Sequence, residues 1–195
     1  MARVGGAPYA ERMSDAVAAA RSVAEGLLAE ALPRRWRHVQ AVGHKAEEIG
    51  RILPAEDRGV LACAAWLHDV GYAPSLVDTG LHALDGARWL ARSGHAPRVA
   101  ALVAHHSCAS FEAAERGLSE ALAEFRNEQS PTTDALWFAD MTTGPDGQTL
   151  NAADRLAEIR RRYGPDDVVT RFWAKAEPTL LAAIRRVEAR LRQPM

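Results

Sequence analysis

Val60-Leu61-Ala62-Cys63-Ala64-Ala65-Trp66-Leu67-His68-Asp69 joins an uncharged run of eight residues to an adjacent imidazole and carboxylate. A helix over that run is buried nearly all round and carries the two ionisable groups into the interior. Burying such a pair without partners is costly, so other polar groups are expected around it. Pro54 suits the first turn of this helix, Glu56 and Asp57 favour the positive end of its dipole, and Gly71 fits just past its C-terminus.

Upstream, Arg34 to Leu53 reads as a helix in which His38, Val42, Ala46 and Ile49 recur at spacings of four, four and three, so His38 heads an inward stripe. Pro8 to Leu32 is Ala-rich with apolar residues at helical spacing and is closed by Pro33, which predicts a bracing helix. Downstream, Tyr72 to Gly80 reads as a loop. Leu81 to Ser93 follows as a helix with His82 in its first turn and Gly86 where a neighbour can approach closely. Pro97 opens a helix whose Val99, Leu102, Val103 and His106 share one buried face, which favours His106 over His105 as the inward imidazole.

The remainder is helical too. Phe111 to Arg126 predicts one long amphipathic helix, and Thr132 is expected to cap the next, which carries Leu136, Trp137 and Asp140 on one face. Met141 to Leu150, rich in Thr, Gly and Pro, predicts a loop beside the site. Asn151 with Asp154 reads as the cap of a helix over Ala152 to Tyr163, Gly164-Pro165 ends it, and Asp166 to Arg192 forms the last helix, with a kink expected at Pro178. Strand signals do not recur, so the fold class expected is all-α.

Composition limits the function classes. At 195 residues, 48% apolar and 25% charged, the chain is an ordinary globular protein that can fold around one full core. A net charge of −1 provides no general attraction to nucleic acid or an anionic membrane, so a small-molecule partner is expected. Cys63 and Cys108 lie far apart without CxxC spacing, which argues against a zinc ribbon or disulfide framework. No apolar stretch approaches the ~18 residues of a spanning helix, and the N-terminus lacks the apolar core of a signal peptide, so a cytoplasmic location is expected. P-loop, dinucleotide-binding, G-x-S-x-G and Cys-His nucleophile signatures are missing.

The order His38, His68-Asp69, Asp140 resembles the HD-domain superfamily, helical metal-dependent phosphohydrolases named for a His, a His-Asp pair and a later Asp. "RHVQAVGHKAEEIGR" is similar to the first ligand helix of that family and "LACAAWLHDVGY" to its doublet. "HALDGARWL", "VAHHS" and "WFADM" are similar to segments of a subgroup with additional His ligands. The resemblance implies a helical HD bundle from residue 34 to 162, with an N-terminal brace over 1–33 and a helical extension over 163–195, all in one compact unit. It implies that His38, His68, Asp69 and Asp140 ligate one metal, and that His82 and His106 hold a second with Asp69 between the two.

A mixed His and Asp donor set suits first-row ions, Fe or Mn first, with Ni, Co, Zn or Mg as alternatives, one or two per chain. Such ions activate water and stabilise charge on a phosphoryl group without a protein nucleophile. Phosphates also need cations beyond the metal. Arg34, Arg35 and Arg37 lie near His38, Lys45 is seven residues along the same helix, and Arg155 begins the helix after the Asp140 loop. Lys45 and Arg155 are expected to assist catalysis and, with Arg37 and His105, to contact substrate. The activity expected is hydrolysis of a nucleotide-like phosphomonoester or phosphoanhydride. A di-iron oxygenase on the same scaffold and a non-catalytic metal-binding module are the alternatives, and a monomer or homodimer fits either.

Overall fold

The computed structural model describes residues 9–193. Ten α-helices occur among the described residues, with no strand and one isolated bridge between Thr143 and Thr149. Pro8, the expected start of the first helix, and the last two residues of the expected C-terminal extension lie outside that range.

Helix α1 (Tyr9–Leu28) buries Ala20, Ala24 and Leu28 against the rest of the bundle. Helix α2 (Pro33–Ile49) begins with Pro33 in its first turn, where a missing N–H costs nothing, and buries His38, Val42, Ala46 and Ile49 as their spacing predicts. Helix α3 (Ala55–Leu67) is buried at every position from Leu61 to Leu67. Its Trp66 ring rests on α2 at Gly43, where a Cβ would lie 2.5 Å from the indole. Only glycine permits that approach.

Helices α4 (His82–Arg92) and α5 (Pro97–Ala104) pack on each other, with α5 also against α3. The expected long helix over Phe111 to Arg126 is instead two short ones, α6 (Ala109–Glu115) and α7 (Ser119–Leu122). Gly117, at φ +70°, turns the chain between them, a conformation that ends a right-handed helix. Helix α8 (Pro131–Met141) is capped by Ser130, whose Oγ accepts from the Thr133 amide at 3.2 Å, not by Thr132. Thr132 is one residue inside the helix, and its hydroxyl donates to Asp57 at 3.1 Å.

Helix α9 (Ala152–Arg162) is capped by Asn151, which accepts from the Asp154 amide at 2.8 Å. Helix α10 (Val168–Leu191) contains Pro178 without ending there. Two apolar clusters result: one fills the bundle of α1 to α5 and α8, and the other, including Met141, Leu156, Phe172, Trp173 and Leu180, joins α9 and α10 to the bundle. The site lies where they meet.

Candidate metal centre

Each chain segment singled out in the sequence delivers one donor to a common point. Helix α2 brings His38, the end of α3 brings His68 and Asp69, α4 brings His82 in its first turn, the turn after α5 brings His106, and α8 brings Asp140. All except the half-buried His82 are fully buried.

Asp69 divides the cluster. Its Oδ2 lies 3.3 Å from His68 Nε2 and 3.8 Å from His38 Nε2, while its Oδ1 lies 3.5 Å from His82 Nε2 and 3.8 Å from His106 Nε2. Asp140 Oδ1 stands 3.0 Å from His38 Nε2 and 3.9 Å from His68 Nε2, on the first side. Two donor groups thus share one carboxylate: His38, His68 and Asp69, and Asp69, His82 and His106, each with ligand atoms within 4.8 Å of one another.

The backbone sets the tautomers. His38 Nδ1 donates to Gly144 O at 3.0 Å, His68 Nδ1 to Ala65 O at 2.7 Å, and His106 Nδ1 to Val103 O at 2.6 Å. With the proton on Nδ1, each ring presents an Nε2 lone pair to the centre, as an imidazole ligand requires. His68 Nε2 is buried and makes no hydrogen bond among the described residues. Burial opposes charge on His68, yet Asp69 and Asp140 beside it raise its pKa to about 9. The pocket therefore favours a positive charge at that point. Burial and the neighbouring His106 hold His82 well below the usual imidazole range, and burial with His68 lowers His106, so both stay neutral donors. The orphaned His68 Nε2, with the other imidazoles and two buried carboxylates around it, fits divalent cations with mixed nitrogen and oxygen ligands.

Close backbone packing brings His82 to the cluster. Gly71 lies past the end of α3, as expected, in a 3-10 turn over Val70–Tyr72. It faces α4, where a Cβ on it would meet Gly86 N at 2.6 Å. The loop before α4 is gathered by Asp85, which accepts from the Asp78, Thr79 and Gly80 amides at 3.0 to 3.2 Å and from the Thr79 hydroxyl at 2.7 Å. Tyr72 then stacks on His82, ring centroids 4.0 Å apart, and Arg35 lies 4.0 Å over the other face of Tyr72.

Two side chains hold the carboxylates in roles the sequence does not assign: Arg35 reads there only as a cation near His38, and Ser107 is not singled out. Arg35 donates to Asp69 Oδ2 at 2.8 Å, and the Ser107 hydroxyl donates to Asp140 Oδ2. Ser107 and Cys108 both have left-handed backbones, φ 44° and 62°, a strain that aims Ser107 at Asp140. The segment "VAHHS" contains Ser107, but nothing in its spacing assigns it a partner.

A cavity of about 260 Å³ opens on Asp69, His82, His106, Ser107 and Asp140. Its remaining lining includes Arg35, Tyr72, Arg116, Arg155 and Arg162, together with Tyr163, Val168, Val169 and Phe172. Arg155 reaches it from α9 as expected, buried, with Nη1 paired to Glu158 and Nε without a hydrogen-bond partner among the described residues. Three other expected contacts lie elsewhere. Lys45 donates to Thr142 O at 2.6 Å and Thr142 Oγ1 at 3.0 Å, so its ammonium tethers the loop after Asp140 and does not line the cavity. Arg37 pairs with exposed Asp146 at 2.9 Å, and His105 donates to Phe125 O at 2.9 Å, away from the cavity.

An all-helical bundle closes two histidine groups, each able to hold a metal ion, around one buried aspartate. The HD domain family model matches residues 35–159, the stretch holding all six donors, and the chain belongs to that family, one of metal-dependent hydrolases. No curated protein and no solved structure matches the chain. Among the described residues, no helix is long and apolar enough to cross a membrane.

Proposed function

We propose that the protein is a metal-dependent phosphohydrolase that cleaves a small phosphomonoester or phosphoanhydride. The observation that carries this reading is Asp69, which turns one oxygen to each histidine pair on the floor of a cavity that also holds the buried guanidinium of Arg155. One or two divalent transition ions, Fe or Mn by the donor set, would supply Lewis acidity toward a phosphoryl oxygen and a lowered water pKa.

The chain's own residues hold and orient. Backbone carbonyls at Ala65, Val103 and Gly144 fix the Nε2 lone pairs, Ser107 fixes Asp140, and Arg35 keeps Asp69 ionised. Burial favours the protonated form of Asp69, but the charge of Arg35 beside it holds it well below the carboxylate range. Arg155 is the cation placed to receive a phosphate oxygen, since an arginine buried beside a cavity gains most from an anionic ligand. Both cysteines are free and buried, which supports a reducing, cytoplasmic setting.

Phosphate release settles the reading. Protein purified anaerobically and loaded in turn with Fe, Mn, Ni, Co, Zn or Mg is expected to release phosphate from small esters or anhydrides with at least one of these ions. His68→Ala and Asp69→Ala should abolish it. Oxygen uptake with iron and no phosphate release would replace the reading with an oxygenase, and ligand binding without turnover would leave a binding module.

A further inference from the structure

One wall of the cavity lies outside the family match. Residues 35–159 match the HD domain, yet Tyr163, Val168, Val169 and Phe172 line the cavity from beyond that stretch, with Arg162 and Asp167 among them. Tyr163, Val168 and Val169 are half-buried and keep apolar surface open to the space, while Phe172 is buried in the cluster that fixes α10 against α9. The side toward Asp69 and Asp140 is polar and charged. The cavity therefore joins metal donors and cations to an apolar patch, Tyr163, Val168 and Val169, flanked by Arg162 and Asp167.

The space is also small. About 260 Å³ falls below the ~300–1,000 Å³ of clefts that enclose drug-sized ligands, which suits a compact ligand. Glu158 pairs with both Arg155 and Arg162, and the buried Arg155 Nε beside the cavity has no hydrogen-bond partner among the described residues. That N–H suits an anion.

We infer that the wall after residue 159 is the specificity element of this centre, and that it selects a compact organic monophosphate. The phosphate sits on the Arg155 side and the apolar body lies on Tyr163, Val168 and Val169. Hydroxyls placed directly against the two valines would be left without partners. The inference rests on the phosphohydrolase reading above.

Calorimetric titration of the Mn-loaded protein with phenylphosphonate and with methylphosphonate, whose P–C bond a phosphohydrolase does not cut, tests it without turnover. Phenylphosphonate should bind about tenfold more tightly or better, and that ratio should fall to about two or below in the Tyr163→Ala, Val169→Ser double variant, its fold checked by circular dichroism. Both residues are half-buried at the edge of the buried cluster and neither is one of its buried members. A ratio near one in the unaltered protein, or a ratio retained in the variant, overturns the role of this wall while leaving the phosphohydrolase reading in place. Binding of neither phosphonate overturns both.

Discussion

Gly71 lies against the backbone of His82: a Cβ on Gly71 would come within 1.9 Å of the His82 carbonyl oxygen. That contact, between rigid main-chain atoms, lets the chain pass from Asp69 to His82 and still return the imidazole to within 3.5 Å of Asp69 Oδ1. Gly71→Ala must therefore push the start of α4 outward. The expected cost is about 2–3 kcal/mol of stability, as for overpacked cores. Metal content should fall to that of the His38 and His68 side alone. Urea denaturation together with elemental analysis checks both, and retention of two ions per chain would refute the link.

The division of Asp69 between two donor pairs predicts unequal losses. His106→Ala should remove the ion held with His82 and spare its neighbour, and His38→Ala should do the reverse. Asp69→Ala should deplete both. Metal content per chain, measured after dialysis, reads the three variants directly; equal depletion by His106→Ala and Asp69→Ala would argue for a single ion.

Lys45 and Arg155, alike in the sequence as cations near the ligands, are expected to differ in kind. Lys45→Ala removes two hydrogen bonds that hold Thr142 and should lower stability by about 1–2 kcal/mol, with the smaller effect on KM. Arg155→Ala should raise KM about tenfold or more, and Arg155→Lys should restore little, since an ammonium lacks the fork of a guanidinium. Steady-state kinetics beside a denaturation curve separates the two roles.

Asp57 provides a pH-dependent element remote from the metal donors. Its hydrogen bond from Arg98, with a second from Thr132, holds its carboxyl below the ordinary 3.8. The folded state thus binds this proton less readily than the unfolded chain does. The stabilisation is present above about pH 3.8 and is lost as pH falls through the lower folded value. Arg98 is partly exposed, which limits the effect to about 1 kcal/mol. Asp57→Asn should be less stable than the unaltered protein by that amount at pH 7, and the two should converge as the medium becomes more acidic than pH 3.8. A gap that persists there would place the effect in packing.

The helices and six donors were legible because each rests on a local pattern. His38 and His106 fall on apolar stripes at helical spacing, and the Val60 to Leu67 run can only be interior. Where a pattern admits two local answers, the reading slipped. Phe111 to Arg126 has helical spacing throughout, yet Gly117 breaks it, and Ser130, two residues before Thr132, is the better cap because Pro131 already occupies the first turn.

By itself the sequence determined the all-helical class, the family and which side chains carry lone pairs inward, since burial and helical period are properties of neighbours along the chain. Tertiary structure alone decided that Asp69 serves both histidine pairs, that Arg35 and Ser107 hold the two carboxylates, and that Lys45 turns to Thr142 while Arg155 turns to the cavity. The Arg35–Asp69, Ser107–Asp140 and Lys45–Thr142 pairings join residues 33 to 97 positions apart, and no helical period relates them. They exist only once packing has fixed the angle at which each helix arrives.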